Sequence, residues 1–301
     1  MLLMLSGVFA PLPTPFDADG AVDIGKLRAA LARWIATPLA GFVVLGSNGE
    51  AAFLDDDEAD RVTVTARDLV PRGRPLIVGT GRESTRAACR ASKRAADLGA
   101  DFVLVRTPAF FKSQMTTDVF VRHYTAVADA SPVPVLLYNF TAVTGVNLLP
   151  AAVIRLAAHR NIVGMKESGG DIAQMAELVS GTPADFAVLA GTTSTFYAAL
   201  CVGCAGGILA PASVVPDACV RLYQLTKDGR HDAARGAQEQ LVPFSRLVGP
   251  TYGVPGLKAA LKIAGIDVGV PRAPLAPAGA EAVAALRTAL TALEPQLVGQ
   301  A

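Results

Sequence analysis

Hydrophobic positions in this chain fall into short unbroken runs separated by longer amphipathic stretches. The short runs are Val8-Phe9-Ala10, Phe42-Val43-Val44-Leu45, Leu76-Ile77-Val78 and Phe102-Val103-Leu104-Val105. Val135-Leu136-Leu137-Tyr138, Ile162-Val163-Gly164-Met165-Lys166, Ala187-Val188-Leu189-Ala190 and Gly207-Ile208-Leu209-Ala210 follow. Continuous apolar runs are what parallel strands need when both faces are buried. The eight runs start about 20 to 35 residues apart, the length of a strand–helix unit.

The stretches between them carry helix start and stop signals. Asp23 precedes apolar residues at helical spacing, Ile24, Leu27 and Leu31. Asp55-Asp56-Asp57-Glu58 loads the first turn of the next helix with negative charge, which suits the helix dipole. Ser84, Thr117 and Asp171 read as later N-caps, and Gly99 and Gly203 as C-terminal stops. Eight alternating units predict an α/β fold, a closed (β/α)8 TIM barrel. The barrel is expected over residues 1–230, its eighth helix covering 215–227. Beyond it only helical patterns remain, so 231–301 is expected to form a C-terminal helical extension packed on the barrel. Pro250, Pro255, Pro271, Pro274 and Pro277 punctuate that extension.

Composition narrows the function. Of 301 residues, 51% are hydrophobic and 18% charged, ample for a large core. The net charge is +1 with no basic runs, so no nucleic-acid partner is expected. The N-terminal run Met1 to Leu5 lacks a basic region and is too short for a signal peptide. No apolar stretch reaches the length of a membrane span uninterrupted. A cytoplasmic location and no membrane partner are the expectation. Cys201-Val202-Gly203-Cys204 has metal-ligand spacing but no second ligand pair, and His123, His159 and His231 show no matching spacing. Buried thiols are expected there and no metal. No glycine fingerprint follows a strand, so no nucleotide cofactor is implied.

Active sites of such barrels lie at the C-terminal ends of strands. After the second run comes Gly46-Ser47-Asn48-Gly49-Glu50, whose glycines permit a turn of inward N–H groups able to hold a carboxylate or phosphate. The Ser47 hydroxyl can relay a proton, although on its own the pentapeptide is an ordinary loop. Tyr138 ends the fifth run, and on its own it caps a barrel core. Lys166 ends the sixth. It is one of seven lysines against twenty arginines, and few acidic residues lie near the other strand ends to pair with it. Strand alternation sends Glu167 to the opposite face. A buried lysine that releases its proton is a nucleophile for a ketone, forming a Schiff base. A nearby tyrosine then has a proton to move. After the seventh run, Gly191 lets substrate approach the backbone, while Thr193 or Ser194 is expected to cap the next helix.

Thr14-Pro15-Phe16 followed by Asp17, Gly20 and Asp23, then Gly46 to Glu50, Tyr138-Asn139 and Gly164-Met165-Lys166-Glu167-Ser168 occur in barrel order. Together they resemble the dihydrodipicolinate synthase / N-acetylneuraminate lyase family of class I pyruvate aldolases. The resemblance spans essentially the whole chain, including Tyr252-Gly253-Val254-Pro255-Gly256-Leu257-Lys258. It implies a pyruvate-type Schiff base on Lys166, with Tyr138 as proton shuttle. It implies that Ser47 and Asn48 hold the pyruvyl carboxylate, and that Ser168, Gly191 and Ile208 line the pocket. It also implies a homotetramer, a dimer of dimers.

Two departures separate the chain from the synthases. Val143 stands in the loop after Tyr138-Asn139 where the synthases carry an arginine for the aldehyde's carboxylate. Phe110 and Phe111 stand where a relay tyrosine crosses a dimer interface. The motifs look instead like the 4-hydroxy-2-oxoglutarate aldolase branch and the related 2-keto-3-deoxy sugar acid aldolases. The expected reaction is cleavage of a small-molecule 4-hydroxy-2-oxo acid to pyruvate and an aldehyde, with no cofactor. The alternatives are the synthase reaction, decarboxylation of oxaloacetate or dehydration of a keto-deoxy acid on the same iminium, and a keto-acid-binding barrel without catalysis. A phosphate-sugar isomerase is disfavoured, because no glycine-rich phosphate site follows strands 7 and 8.

Overall fold

The computed structural model describes residues 5–293; Met1 to Met4 and the last stretch of the expected extension, 294–301, lie outside the described residues. Eight parallel strands close into a barrel in sequence order: β1 Gly7–Pro11, β2 Gly41–Val44, β3 Leu76–Gly79, β4 Phe102–Arg106, β5 Val135–Asn139, β6 Ile162–Glu167, β7 Ala187–Ala190 and β8 Gly206–Ile208. β1 pairs with both β2 and β8, which closes the ring. The helices are α1 Ile24–Ile35, α2 Asp56–Leu69, α3 Thr85–Asp97, α4 Thr117–Ala130, α5 Thr141–Thr144 and α6 Pro150–Ala157. They continue as α7 Ile172–Gly181, α8 Phe196–Cys201, α9 Pro216–Lys227, α10 His231–Arg246, α11 Gly253–Ile263 and α12 Ala280–Thr291. The (β/α)8 barrel expected from the apolar runs is the observed fold.

Alternation divides the apolar residues into two cores. Phe9, Val43, Ile77, Phe102, Leu104, Leu136, Leu189 and Ile208 fill the barrel interior. Their strand neighbours, such as Val103, Val105, Leu137 and Met165, face the helix layer. The outer layer also satisfies its polar tips: Trp34 is fully buried and donates its indole N–H to the Ser213 carbonyl at 2.8 Å.

Asp23, Ser84 and Asp171 cap their helices as expected, and Asp55 forms a capping box with Glu58. Three expectations need correction. The cap of α4 is Thr116, whose hydroxyl accepts the Val119 N–H, and not Thr117. Neither Thr193 nor Ser194 caps α8; Thr193–Thr195 form a 3-10 turn instead. Gln238 of α10 does the work, accepting the Tyr197 N–H at 2.8 Å and donating to the Thr193 carbonyl at 2.9 Å. The eighth apolar run leaves the sheet after Ile208, because Pro211 has no N–H to donate and 210–213 turn instead.

The C-terminal region is not wholly helical. Between α11 and α12 the chain runs irregularly past the start of the barrel, where Gly269 bridges Phe16. Pro271, Pro274 and Pro277 explain why no helix forms there. Arg272 from this segment pairs with Glu58 and donates to the Gly20 and Phe53 carbonyls. Cys201 is exposed and only Cys204 of that pair is buried, so the expectation of two buried thiols is half wrong. Cys204 and Cys219 are pushed up to about 12 by burial. No helix among the described residues is long and apolar enough to cross a membrane.

Candidate active site

On β5 the residues at 136 and 138 face the barrel interior, and on β6 those at 164 and 166 do. A register shift after Val135 sets the pairing so that Tyr138 lies opposite Lys166 and Asn139 opposite Glu167. Gly164 is required two residues before the lysine: a Cβ there would lie 2.4 Å from the Ala187 carbonyl oxygen. Lys166 is 6% exposed, and its Nζ lies 4.5 Å from the centroid of the Tyr138 ring. Phe140 stacks on the same ring at 5.9 Å. Among the described residues Lys166 has no carboxylate partner. Its amine therefore stands over a π-face without a counter-ion.

The loop after β2 reaches the same point. Ser47 Oγ lies 3.3 Å from Tyr138 Oη, so one hydroxyl can pass a proton to the other. The loop is bracketed by two non-glycine residues in the left-handed region, Leu45 (φ 56°) and Glu50 (φ 55°). Such conformations cost about 1–3 kcal/mol each and persist only where surrounding structure holds them. Gly79 makes room for Leu45, since a Cβ there would meet the Leu45 carbonyl at 1.9 Å. Thr14 Oγ1 donates to the Gly49 carbonyl at 2.6 Å. Glu50 is anchored by the buried Lys258, whose Nζ lies 2.7 Å away, and it accepts the Arg272 N–H at 2.8 Å. Asn48 sits in this loop, half-buried beside Ser47.

On the other side, Ser168 N–H donates to the Asn139 carbonyl and Gly191 N–H to the Glu167 carbonyl. A Cβ at Gly191 would fall 1.8 Å from Ser168 Oγ and 3.0 Å from Lys166 Cε. Gly191 therefore packs against both Ser168 and Lys166, and Ser168 Oγ is buried without a hydrogen-bond partner. An unpaired hydroxyl on the Gly191 side of the lysine stem is a ready contact for a polar ligand. Ile208 is fully buried in the inner core that also holds Tyr138 and Leu189, so it offers only apolar wall. Val143 stands apart on α5, 61% exposed.

Glu167 faces the helix layer, as alternation requires. Its carboxylate accepts from Asn139 Nδ2 at 2.7 Å, from Gln174 Nε2 at 3.1 Å and from the Gly169 N–H. Burial pushes this carboxyl above its ordinary range even against those three donors. Asn139 also donates to Asn147 and accepts the Leu148 N–H. These bonds fasten the ends of β5 and β6 together directly behind Tyr138 and Lys166. Sequence reading missed this network, the Glu50–Lys258 pair and Arg106 of β4. For the strand residues the usable signal was alternation carried one residue further; Glu50 and Lys258, on a loop and on α11, left none.

A family model described as "Dihydrodipicolinate synthetase family" matches residues 4–293. A 4-hydroxy-tetrahydrodipicolinate synthase of Exiguobacterium sp. is 36% identical, over 95% of this chain and 97% of its own. A probable mitochondrial 4-hydroxy-2-oxoglutarate aldolase of Emericella nidulans is 34% identical, over 99% of this chain and 98% of its own. Among solved structures, a prophage protein of E. coli K12 from the dihydrodipicolinic acid synthase family, crystallised with pyruvate, superposes with a TM-score of 0.90. It is 29% identical, over 96% of this chain and 99% of its own. The chain belongs to the dihydrodipicolinate synthetase family.

Proposed function

We propose that this protein is a class I aldolase that cleaves a 4-hydroxy-2-oxo acid reversibly to pyruvate and an aldehyde. The observation that carries the reading is the unpaired Lys166 amine, 4.5 Å from the Tyr138 ring, with Tyr138 Oη bonded to Ser47 at 3.3 Å. The deprotonated amine adds to the C2 ketone, and loss of water gives an iminium. The C3–C4 bond then breaks. Its electrons pass into the iminium to give an enamine, while the C4 hydroxyl gives its proton to the Tyr138–Ser47 pair and leaves as an aldehyde. Protonation at C3 and hydrolysis release pyruvate and the free amine. Ser47 and Asn48 hold the α-carboxylate in their loop, and Ser168, Gly191 and Ile208 line the pocket. The resemblance to the Emericella aldolase and to the pyruvate complex supports this reading.

A second reading, condensation of pyruvate with aspartate semialdehyde, is favoured by the names of relatives such as the Exiguobacterium synthase. Against it stand Val143 in the loop after β5 and the phenylalanines at 110 and 111. Product analysis separates the two. Pyruvate released from 4-hydroxy-2-oxoglutarate supports the aldolase, and turnover of aspartate semialdehyde without that release supports the synthase. Pyruvate from oxaloacetate alone identifies a decarboxylase. The homotetramer belongs to the same proposal; Phe110 and Phe111, 78% and 68% exposed and edge to face, give it an apolar surface to cover. Light scattering at micromolar concentration tests it, a monomer counting against it.

A further inference from the structure

Arg106 ends β4 in the same row as the proposed chemistry. Phe102 and Leu104 face the barrel interior, and alternation turns Arg106 to the same side. It is the register partner of Tyr138, which is in turn the partner of Lys166. Two inter-strand steps put its Cα about 10 Å from that of the lysine. Gly81, two residues beyond β3, makes the position possible, because a Cβ there would lie 2.6 Å from Arg106 N and 2.8 Å from its Cβ.

The guanidinium is held but not exhausted. It donates to Glu83 Oε1 and to the Thr107 carbonyl, both at 2.9 Å, and its other N–H groups make no hydrogen bond among the described residues. Glu83 is itself committed to the next loop, accepting the Ala109 N–H at 2.8 Å and the Phe110 N–H at 2.9 Å. The side chain is 27% exposed, so it stands at the mouth of the barrel rather than in its floor. The loop after β5, residues 140–145, carries no charge of its own.

We propose that Arg106 selects the aldehyde half of the substrate by binding a carboxylate attached to C4, so that the substrate is a dicarboxylate. The inference rests on the Schiff-base reading of Lys166. With C2 fixed on the lysine and the first carboxylate in the 46–50 loop, the far end of a five-carbon acid extends across the mouth, and Arg106 offers that end a cation with free forked donors. Lys112, which lies against Gly145 on the same rim, is the competing cation.

The test separates carboxylate recognition from the aldol step. 2-Oxoglutarate and 2-oxopentanoate differ at C5 by a carboxylate against a methyl group and lack the C4 hydroxyl needed for cleavage. Each is titrated against borohydride trapping on the full chain, with pyruvate as reference. The wild type is expected to half-saturate with 2-oxoglutarate at ~10-fold lower concentration than with 2-oxopentanoate, the size of a charge-assisted contact. Arg106→Gln is expected to bring the two within about 2-fold without moving pyruvate, Arg106→Lys to keep part of the preference, and Lys112→Met to keep it all. If Arg106→Gln does not fold, Glu83→Gln reads the same point: freeing the guanidinium should tighten 2-oxoglutarate alone. A wild-type preference absent, unmoved by Arg106→Gln, or abolished by Lys112→Met overturns the proposal while leaving the pyruvate adduct intact. Failure of pyruvate itself to form an adduct is the different failure, of the Lys166 reading, and this proposal falls with it.

Discussion

Tyr138 and Lys166 are register partners on adjacent parallel strands, and the lysine amine lies over the face of the tyrosine ring. Their closeness is a property of the ladder, fixed by backbone bonds and by the Asn139–Glu167 clasp on the opposite face. Tyr138→Phe keeps the ring and removes only the hydroxyl bonded to Ser47. Turnover of 4-hydroxy-2-oxoglutarate is expected to fall by roughly 10²–10⁴-fold, the usual worth of a placed proton donor, with the pyruvate adduct still trappable on Lys166. Stopped-assay kinetics and trapping on the same sample check this. A variant within about 3-fold of wild type would remove the proton-shuttle role.

Gly191→Ala tests how tightly the site is built. The added methyl would fall on Ser168 Oγ and against Lys166 Cε. Trapped adduct is expected to drop by at least ~10²-fold, as for other displacements of about 1 Å in a reacting pair. The helices and strands are distant from the change, so the far-ultraviolet circular dichroism should stay the same. Full trapping in this variant would show that the pocket lies elsewhere.

Lys258→Met tests the anchor of the 46–50 loop. The Glu50–Lys258 pair is almost wholly buried, and the ammonium also donates to the Thr14 and Val270 carbonyls. Removing one partner of a buried pair costs about 3–5 kcal/mol, because the other charge stays behind. Urea unfolding should show that loss, and the surviving folded protein should have a raised KM for its 2-oxo acid through the loosened Ser47. The double variant Glu50→Gln, Lys258→Met should recover part of the stability, since no lone charge remains. A double variant as unstable as the summed singles would mean the two residues act separately.

His123 sets an acid limit. Its ring is buried, with Nδ1 2.9 Å from Thr85 Oγ1 and Nε2 unpaired, and burial lowers its pKa to about 4 although Glu83 nearby works the other way. The unfolded ring titrates at about 6.5. Between the two values only the unfolded chain takes the proton, so stability from this group is complete above pH 6.5 and falls as pH drops towards 4. The slope approaches 1.4 kcal/mol per unit, about 3 kcal/mol in all. Unfolding curves across that range should therefore converge between wild type and His123→Gln as the medium becomes acid. Parallel curves would show that the folded ring takes up its proton as readily as the unfolded one.

Much of the architecture was legible because a parallel barrel writes each strand as an uninterrupted apolar run, and the one charge in such a run, Lys166, is what points to the candidate site. Strand ends were read less well. Leu209 and Ala210 are apolar, but Pro211 ends the ladder before them, and hydrophobicity carries no such information. Caps supplied from far along the chain, as Gln238 supplies α8, leave no local signal. Glu50 lies more than two hundred residues from both Lys258 and Arg272, and only the folded chain shows that they hold the Ser47 loop. Arg106 was passed over because it reads as a polar strand end, whereas its register with Tyr138 gives it a direction.

The central claim is that Lys166 is the Schiff-base nucleophile. Its direct test is borohydride reduction of the protein with pyruvate, followed by peptide mass mapping. The account predicts one reduced pyruvyl adduct, on Lys166, absent from Lys166→Ala. A folded protein that gives no adduct, or carries it on another lysine, would contradict it.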